Sequence, residues 1–332
     1  MEFKLNEKMQ LNKNLFDNEC KKEPTRDGWG RGLEELGSKD ENVVALTADL
    51  SGSVRTEWFE KKFANRFFNC GVAEQNMAGV AAGLALAGKI VFFSSFAVFS
   101  PGRNWDQIRV NIAYNNINVK FSGAHAGITT GPDGATHQAL EDIALMRVLP
   151  NMTVVVPSDS IQAKKCVFSA YEKQGPVYIR LGRENIPIFN SEQTPFEIGK
   201  INVLKDGRDV AIVACGIEVY QALLAAKKLK DENIDAAVLD CHTIKPLDVN
   251  TVVEYAKKCK CIVVAEEHQI FGGLGGAICE ELADKYPVIV SRVAVKDTFG
   301  KSGNGMQLLQ NFELDCDAIC DACKKILDKK RI

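Results

Sequence analysis

Short apolar runs punctuate the chain at 43–48, 89–96, 118–122, 153–156 and 177–181, separated by longer stretches whose apolar residues recur at helical spacing. Runs of this length between helix-sized spacers predict buried strands in parallel βαβ units. Most of the runs stop at small or polar residues: Thr-Ala-Asp at 47–49, Ser-Gly-Ala-His at 122–125 and Pro-Ser-Asp at 157–159. Ligands of open α/β sheets bind beyond the carboxyl ends of the strands, so chemistry is expected at these stops. The stretch ENIPIFNSEQTPFEIG at 184–199 holds two prolines and little periodicity, and reads as a linker crossing the surface. Strand-like runs then return at 209–214, 236–239, 261–265 and 288–295, around helical stretches at 219–230 and 249–258. The expected fold is therefore α/β with two domains, each a mostly parallel sheet flanked by helices. An amino-terminal extension is expected over 1–23, a first domain over 24–185, a linker over 186–199 and a smaller second domain over 200–332.

Composition narrows the partners. With 332 residues, two cores are affordable, and 41 basic against 43 acidic residues leave a formal charge of −2. That balance offers no field for wrapping nucleic acid or holding an anionic membrane. Apolar residues at 46% and charged residues at 25% exclude a disordered chain. The cysteines number eleven, spread from Cys20 to Cys323, an odd and dilute set that suits a reducing cytoplasm better than a secreted disulfide framework. No apolar run approaches the roughly 18 residues of a membrane span, and the charged amino end has no hydrophobic signal segment. A cytoplasmic location is expected.

Chemistry concentrates in three places. The segment 69–88 opens a helix rich in Gly and Ala with Glu74 in its first turn; taken alone, that carboxylate would simply complement the helix dipole. Phe96 and Phe99 close the run at 89–96, and by themselves would read as core residues. His125 and His137, two of only four histidines, flank a loop holding Gly127, Gly131, Asp133 and Gly134, a placement that favours a site over a structural role. Two other patterns read as structure. Cys316, Cys320 and Cys323 have a spacing used by some iron–sulfur ligands, but offsets of 4 and 7 also line one helix face. The run Phe271-Gly-Gly-Leu-Gly-Gly lacks the glycine pattern of a dinucleotide cradle and reads as a tight turn with close helix packing.

Taken together, GVAEQNM (71–77), SSFAVF (94–99) and HAGITTGPDGATHQ (125–138) resemble, in order and spacing, the pyrimidine-binding domain of transketolase. HTIKPLD (242–248), AEEH (265–268), GGLGG (272–276) and VKDTFGKSG (295–303) resemble the carboxy-terminal domain of the same family, so the likeness covers about 24–325. It implies that Glu74 hydrogen-bonds the aminopyrimidine of thiamine diphosphate and favours the imino tautomer, whose nitrogen removes the thiazolium proton. It further implies an aromatic wall of Phe96 and Phe99 against the pyrimidine, with Gly102 standing where a third aromatic is expected. Asp49 would lie near the cofactor at a subunit interface. His125 would face a substrate phosphate with Arg26, Ser53 and Arg183, and Asp133 and His137 would contact sugar hydroxyls and the carbonyl.

One family element is absent. No Gly-Asp-Gly occurs, the nearest strings being RDGW, PDGA and KDGR. The resemblance therefore implies that Mg²⁺ and the cofactor diphosphate are held by a separate amino-terminal subunit, with two copies of each chain and no metal ligand on this one. The expected reaction is ketol transfer between sugar phosphates. The beta subunit of a thiamine-dependent 2-oxo acid dehydrogenase and a 1-deoxyxylulose-5-phosphate synthase-like protein are the alternatives. Against the last stand the missing cofactor half and the phenylalanine at 99. A purely structural scaffold would predict loss of Glu74 or of the histidine loop, and both are present.

Overall fold

The protein is represented by a computed structural model that describes residues 3–330. Its strands, in chain order, are β1 (Lys22–Glu23), β2 (Val43–Thr47), β3 (Phe67–Asn69), β4 (Ile90–Phe96), β5 (Val119–Ala124), β6 (Thr153–Val155), β7 (Val177–Arg180), β8 (Ile186–Pro187), β9 (Asn202–Lys205), β10 (Val210–Ala214), β11 (Ala236–Asp240), β12 (Thr243–Lys245), β13 (Cys261–Gln269) and β14 (Ile289–Val295). Seven of them form one sheet in the order β12-β6-β7-β5-β4-β2-β3, parallel throughout except at β12. Five form a second sheet in the order β14-β13-β10-β11-β9, parallel except at β9. The near-continuous apolar runs make this pattern possible, because parallel strands are covered by helices on both faces.

Two features depart from the sequence reading. β12 follows directly on β11 of the second sheet, yet it pairs antiparallel with β6 of the first sheet, Thr243 opposite Val155. The apolar core is accordingly continuous, running from Phe121 and Val154 of the first sheet through Ile244 to Val213 and Leu274 of the second. The stretch at 186–199 is only partly solvated, with Glu192, Gln193, Pro195 and Glu197 exposed. Ile186, Phe189, Asn190 and Thr194 are buried, β8 pairs with β1, and the Asp159 carboxylate accepts the amide N–H groups of Phe189 and Asn190 at 3.1 and 2.7 Å. Proline and glycine punctuation marked the irregular backbone correctly but not its burial. The amino-terminal extension also packs: Leu15 is fully buried in the second domain's core, and the Asn6 amide N–H donates to Leu204 O at 2.8 Å. Among the described residues, no helix is long and apolar enough to cross a membrane.

Candidate active site

The carboxyl ends of β2, β4, β5 and β7 converge on one edge of the larger sheet, and the residues that follow them form the site. β5 delivers His125 in the left-handed region, at φ 54°, a conformation held because the Thr130 hydroxyl donates to the His125 carbonyl at 2.6 Å. Its ring stacks on Phe96 at 3.8 Å. Arg26, from the helix Thr25–Lys39, donates to the Ser53 carbonyl at 2.9 Å and lies 3.0 Å from His125 Nε2. A guanidinium only donates, so Nε2 accepts and the imidazole proton sits on Nδ1, which is buried without a partner. Burial, followed by the charges of Arg26, Arg183 and Arg55, pulls the His125 pKa down to about 3. Burial and then Arg55 pull Arg26 down to about 10.

Those shifts report a net positive, partly dehydrated field. An open cleft of about 530 Å³ gathers Arg26, Ser53, Phe96, His125, Asp133 and Arg183, all expected from the sequence, together with Arg55. A second cleft of about 560 Å³ adjoins it and shares Arg26, Arg55 and Arg183. Arg55 was not anticipated. It lies two residues beyond Ser53, donates to Asp27 at 2.7 Å and completes a triangle of guanidinium groups suited to a phosphate monoester. Arg183 donates to the Thr130 carbonyl at 2.8 Å and to Asp133 at 3.0 Å, so it also ties down the histidine loop.

Glu74 begins the helix Glu74–Leu86 but does not serve as a solvated dipole partner: it is 1% exposed. Its carboxylate accepts from Arg103 at 2.6 Å, and its carbonyl accepts from Asn104 Nδ2 at 3.1 Å. Phe96 and Phe99 are nearly parallel, at 8° and 6.0 Å, and the edge of His137 approaches Phe99 at 5.4 Å. His125 covers one face of Phe96, and the Arg103 guanidinium lies over the Phe99 ring at 4.6 Å. Position 102 has no room for a third aromatic, since a Cβ there would come 2.1 Å from the Val98 carbonyl oxygen. Asp49 lies apart, exposed and held by Asn69, whose side-chain oxygen accepts the Asp49 amide at 3.0 Å. It does not join the cleft within this chain.

The second domain frames this site. Glu267 of β13 is buried and accepts the Thr129 amide at 2.6 Å, and Gly127, at φ 87°, passes so close that a Cβ would lie 2.2 Å from the Glu267 carboxyl carbon. Arg180 bridges the domains, donating from Nε to both Asp142 oxygens at 3.2 and 2.9 Å and from Nη2 to the Glu267 carbonyl at 2.7 Å. Neighbouring Glu266 accepts the Leu274 and Gly275 amides at 2.7 and 2.8 Å. The glycine-rich turn thus caps its helix with the protein's own carboxylate. Cys320 and Cys323 are buried on one face of the helix Cys316–Lys330, with the Cys320 thiol directed to the Ala225 carbonyl and both thiol pKa values raised by burial.

An open cationic cleft, a buried carboxylate and a planar aromatic face, all at the carboxyl edge of a doubly covered sheet, are the features of an α/β enzyme component. The family comparisons agree. Residues 21–188 match the model described as "Transketolase, pyrimidine binding domain", and 199–319 match "Transketolase, C-terminal domain". The chain belongs to the transketolase family. It is 48% identical over 310 residues to the "Putative transketolase C-terminal section" of Methanocaldococcus jannaschii, covering 92% of this chain and 96% of that protein. It is 41% identical to the "6-deoxy-6-sulfo-D-fructose transketolase subunit SqwH" of Clostridium sp. (strain MSTE9), covering 92% and 95%. Among solved structures, "Split gene transketolase, inactive beta4 tetramer" superposes with a TM-score of 0.86 at 48% identity, covering 92% of this chain and 98% of that one. Family membership supports a transketolase-type function, and the pyrimidine-binding domain implies thiamine diphosphate binding.

Proposed function

We propose that this chain, assembled with a separate amino-terminal subunit, transfers a two-carbon ketol unit between sugar phosphates with thiamine diphosphate. The observation that carries this reading is the convergence of Arg26, Arg55 and Arg183 on the neutral His125, within one cleft that also reaches Phe96. The residues present suit the pyrimidine half of the cofactor: a buried carboxylate for its ring nitrogen and the flat face of Phe99. They do not supply the diphosphate half. The family's Gly-Asp-Gly element does not occur in this sequence, and Mg²⁺ with the diphosphate is assigned to the partner on that ground.

When bound, thiamine diphosphate supplies a nucleophilic carbon that breaks and forms the bond beside a carbonyl. Glu74 holds the aminopyrimidine and exchanges a proton with its ring nitrogen. Arg26, Arg55 and Arg183 hold the substrate phosphate, and His125 faces it beside Arg26. His137 and Asp133 face the hydroxyl and carbonyl groups nearer the reacting carbon. Asp49, exposed at the end of β2, is assigned to the interface. Assembly is supported by an exposed apolar patch along the helix Glu74–Leu86 and the bend before it: Leu86 and Val72 are 72% and 73% exposed, and nothing lies within 4 Å of a Cβ at Gly79 or Gly83. All eleven cysteines are free thiols, which supports a cytoplasmic setting. Two copies of each subunit are proposed, and the division at 24–185, 186–199 and 200–332 is retained as a proposal.

The test is co-purification with a Gly-Asp-Gly-bearing subunit and assay of the complex for ketol transfer between sugar phosphates and for pyruvate decarboxylation. Ketol transfer is expected. Pyruvate turnover without sugar-phosphate turnover would replace this reading with the 2-oxo acid dehydrogenase one.

A further inference from the structure

The side chain next to the missing third aromatic is Arg103. Its guanidinium donates to the Glu74 carboxylate at 2.6 Å and lies over the Phe99 ring at 4.6 Å. It is half-exposed, at 47%, whereas its partner is buried at 1%. These are the two groups that the cofactor reading assigns to the aminopyrimidine: a carboxylate for a hydrogen bond and an aromatic face for stacking. A guanidinium is planar, carries N–H donors at its edge and stacks on aromatic rings, so it satisfies both at once. The neighbouring backbone keeps it there, because Asn104 is anchored to the Glu74 carbonyl and to Ser100 Oγ, both at 3.1 Å.

We propose that Arg103 is a stand-in for the aminopyrimidine: it occupies Glu74 and Phe99 in the free subunit and swings out when the cofactor enters. The proposal rests on the thiamine diphosphate reading above. Its physical basis is that a buried carboxylate without a partner is costly, so a chain that is folded before its partner and cofactor arrive needs a temporary cation at that point. The half-exposed stem lets the arginine leave towards solvent. Cofactor binding must displace it, which weakens the apparent affinity by the fraction of molecules in which the slot is open.

The experiment is calorimetric titration of thiamine diphosphate, with Mg²⁺ present, into the complex with the amino-terminal subunit. It compares wild type, Arg103→Ala and Arg103→Met, the last keeping the apolar stem over Phe99. Both variants are expected to bind about 3- to 10-fold more tightly, the size of one displaced ion pair at a half-exposed site. In a Glu74→Gln background the same arginine substitutions are expected to change affinity little, because the competing contact is already weakened. Unchanged or weaker binding in both Arg103 variants, with wild type binding normally, would overturn the proposal and make the arginine a cofactor contact or a structural prop. A wild-type complex that does not bind thiamine diphosphate would overturn the cofactor reading and this inference with it.

Discussion

Replacing Arg180 with methionine tests how firmly the second domain holds the histidine loop. Arg180 is 6% exposed and is the sole cation shared by Asp142 and Glu267 among the described ion pairs, the latter at 3.9 Å. Burial opposes its charge, yet Asp142 and Glu267 outweigh burial and raise its pKa. Methionine fills most of the volume but leaves Asp142 with the Tyr178 hydroxyl, at 2.7 Å, and Glu267 with the Thr129 amide. Breaking a buried pair from one side costs about 3 to 5 kcal/mol, and no solvent discount applies at this burial. A melting midpoint lower by roughly 4 to 7 °C follows for a chain of 332 residues. The loss has a pH signature. Glu267 already has a raised pKa from burial, with Arg180 and the Thr129 amide pulling it down; removing Arg180 raises it further. A carboxyl whose folded pKa lies above its ordinary 4.5 gives full stability below that value and loses it as pH rises through the folded pKa. The deficit of Arg180→Met, measured by urea unfolding against wild type, should therefore grow between pH 5 and pH 8. Replacing all three groups by apolar residues should recover most of the loss. A deficit under about 1 kcal/mol, or one that is flat with pH, would refute the reasoning.

Arg183→Ala should cost phosphorylated substrates about 2 to 3 kcal/mol in kcat/KM, the value of a charge-assisted contact, while a non-phosphorylated analogue loses much less; equal losses would make Arg183 only the anchor of Asp133 and Thr130. His242, buried against Phe196, has a pKa lowered to about 3 by burial. The unfolded chain takes up that proton near pH 6.5, so wild type should lose about 1.4 kcal/mol per pH unit relative to His242→Phe as pH falls below 6.5. Parallel stability profiles of the two proteins from pH 7.5 to pH 5 would contradict the assignment.

Many of the strands were readable, though not their order in the sheets, because parallel strands buried on both faces are nearly unbroken apolar runs: the expectations at 43–48, 153–156 and 177–181 fall on β2, β6 and β7. β13 extends to Gln269 rather than ending near 265 because Glu266, Glu267 and His268 are polar residues that the fold buries and pairs. Periodicity treats such residues as a strand end. β12, three residues long and paired across domains, has too little pattern to reveal its partner. His125, which lines the cleft, stood out in the sequence as a histidine on a glycine loop, since few residue types titrate near neutrality. Arg55 and Arg103 were not, because an isolated arginine usually signals a solvated charge, and only the fold shows Asp27, Phe99 and Glu74 around them.

The central claim is that Glu74 acts on the cofactor rather than on its own helix. Proton exchange at the thiazolium carbon, followed by NMR in heavy water on the assembled complex, isolates that step from sugar chemistry. Glu74→Gln preserves size and a hydrogen-bonding carbonyl but removes the exchangeable carboxyl proton. With the cofactor site saturated, exchange should slow by roughly two to four powers of ten, the range for losing general acid–base participation. Exchange at the wild-type rate, with full cofactor occupancy in the variant, would contradict the account and return Glu74 to the role of a helix-terminal charge.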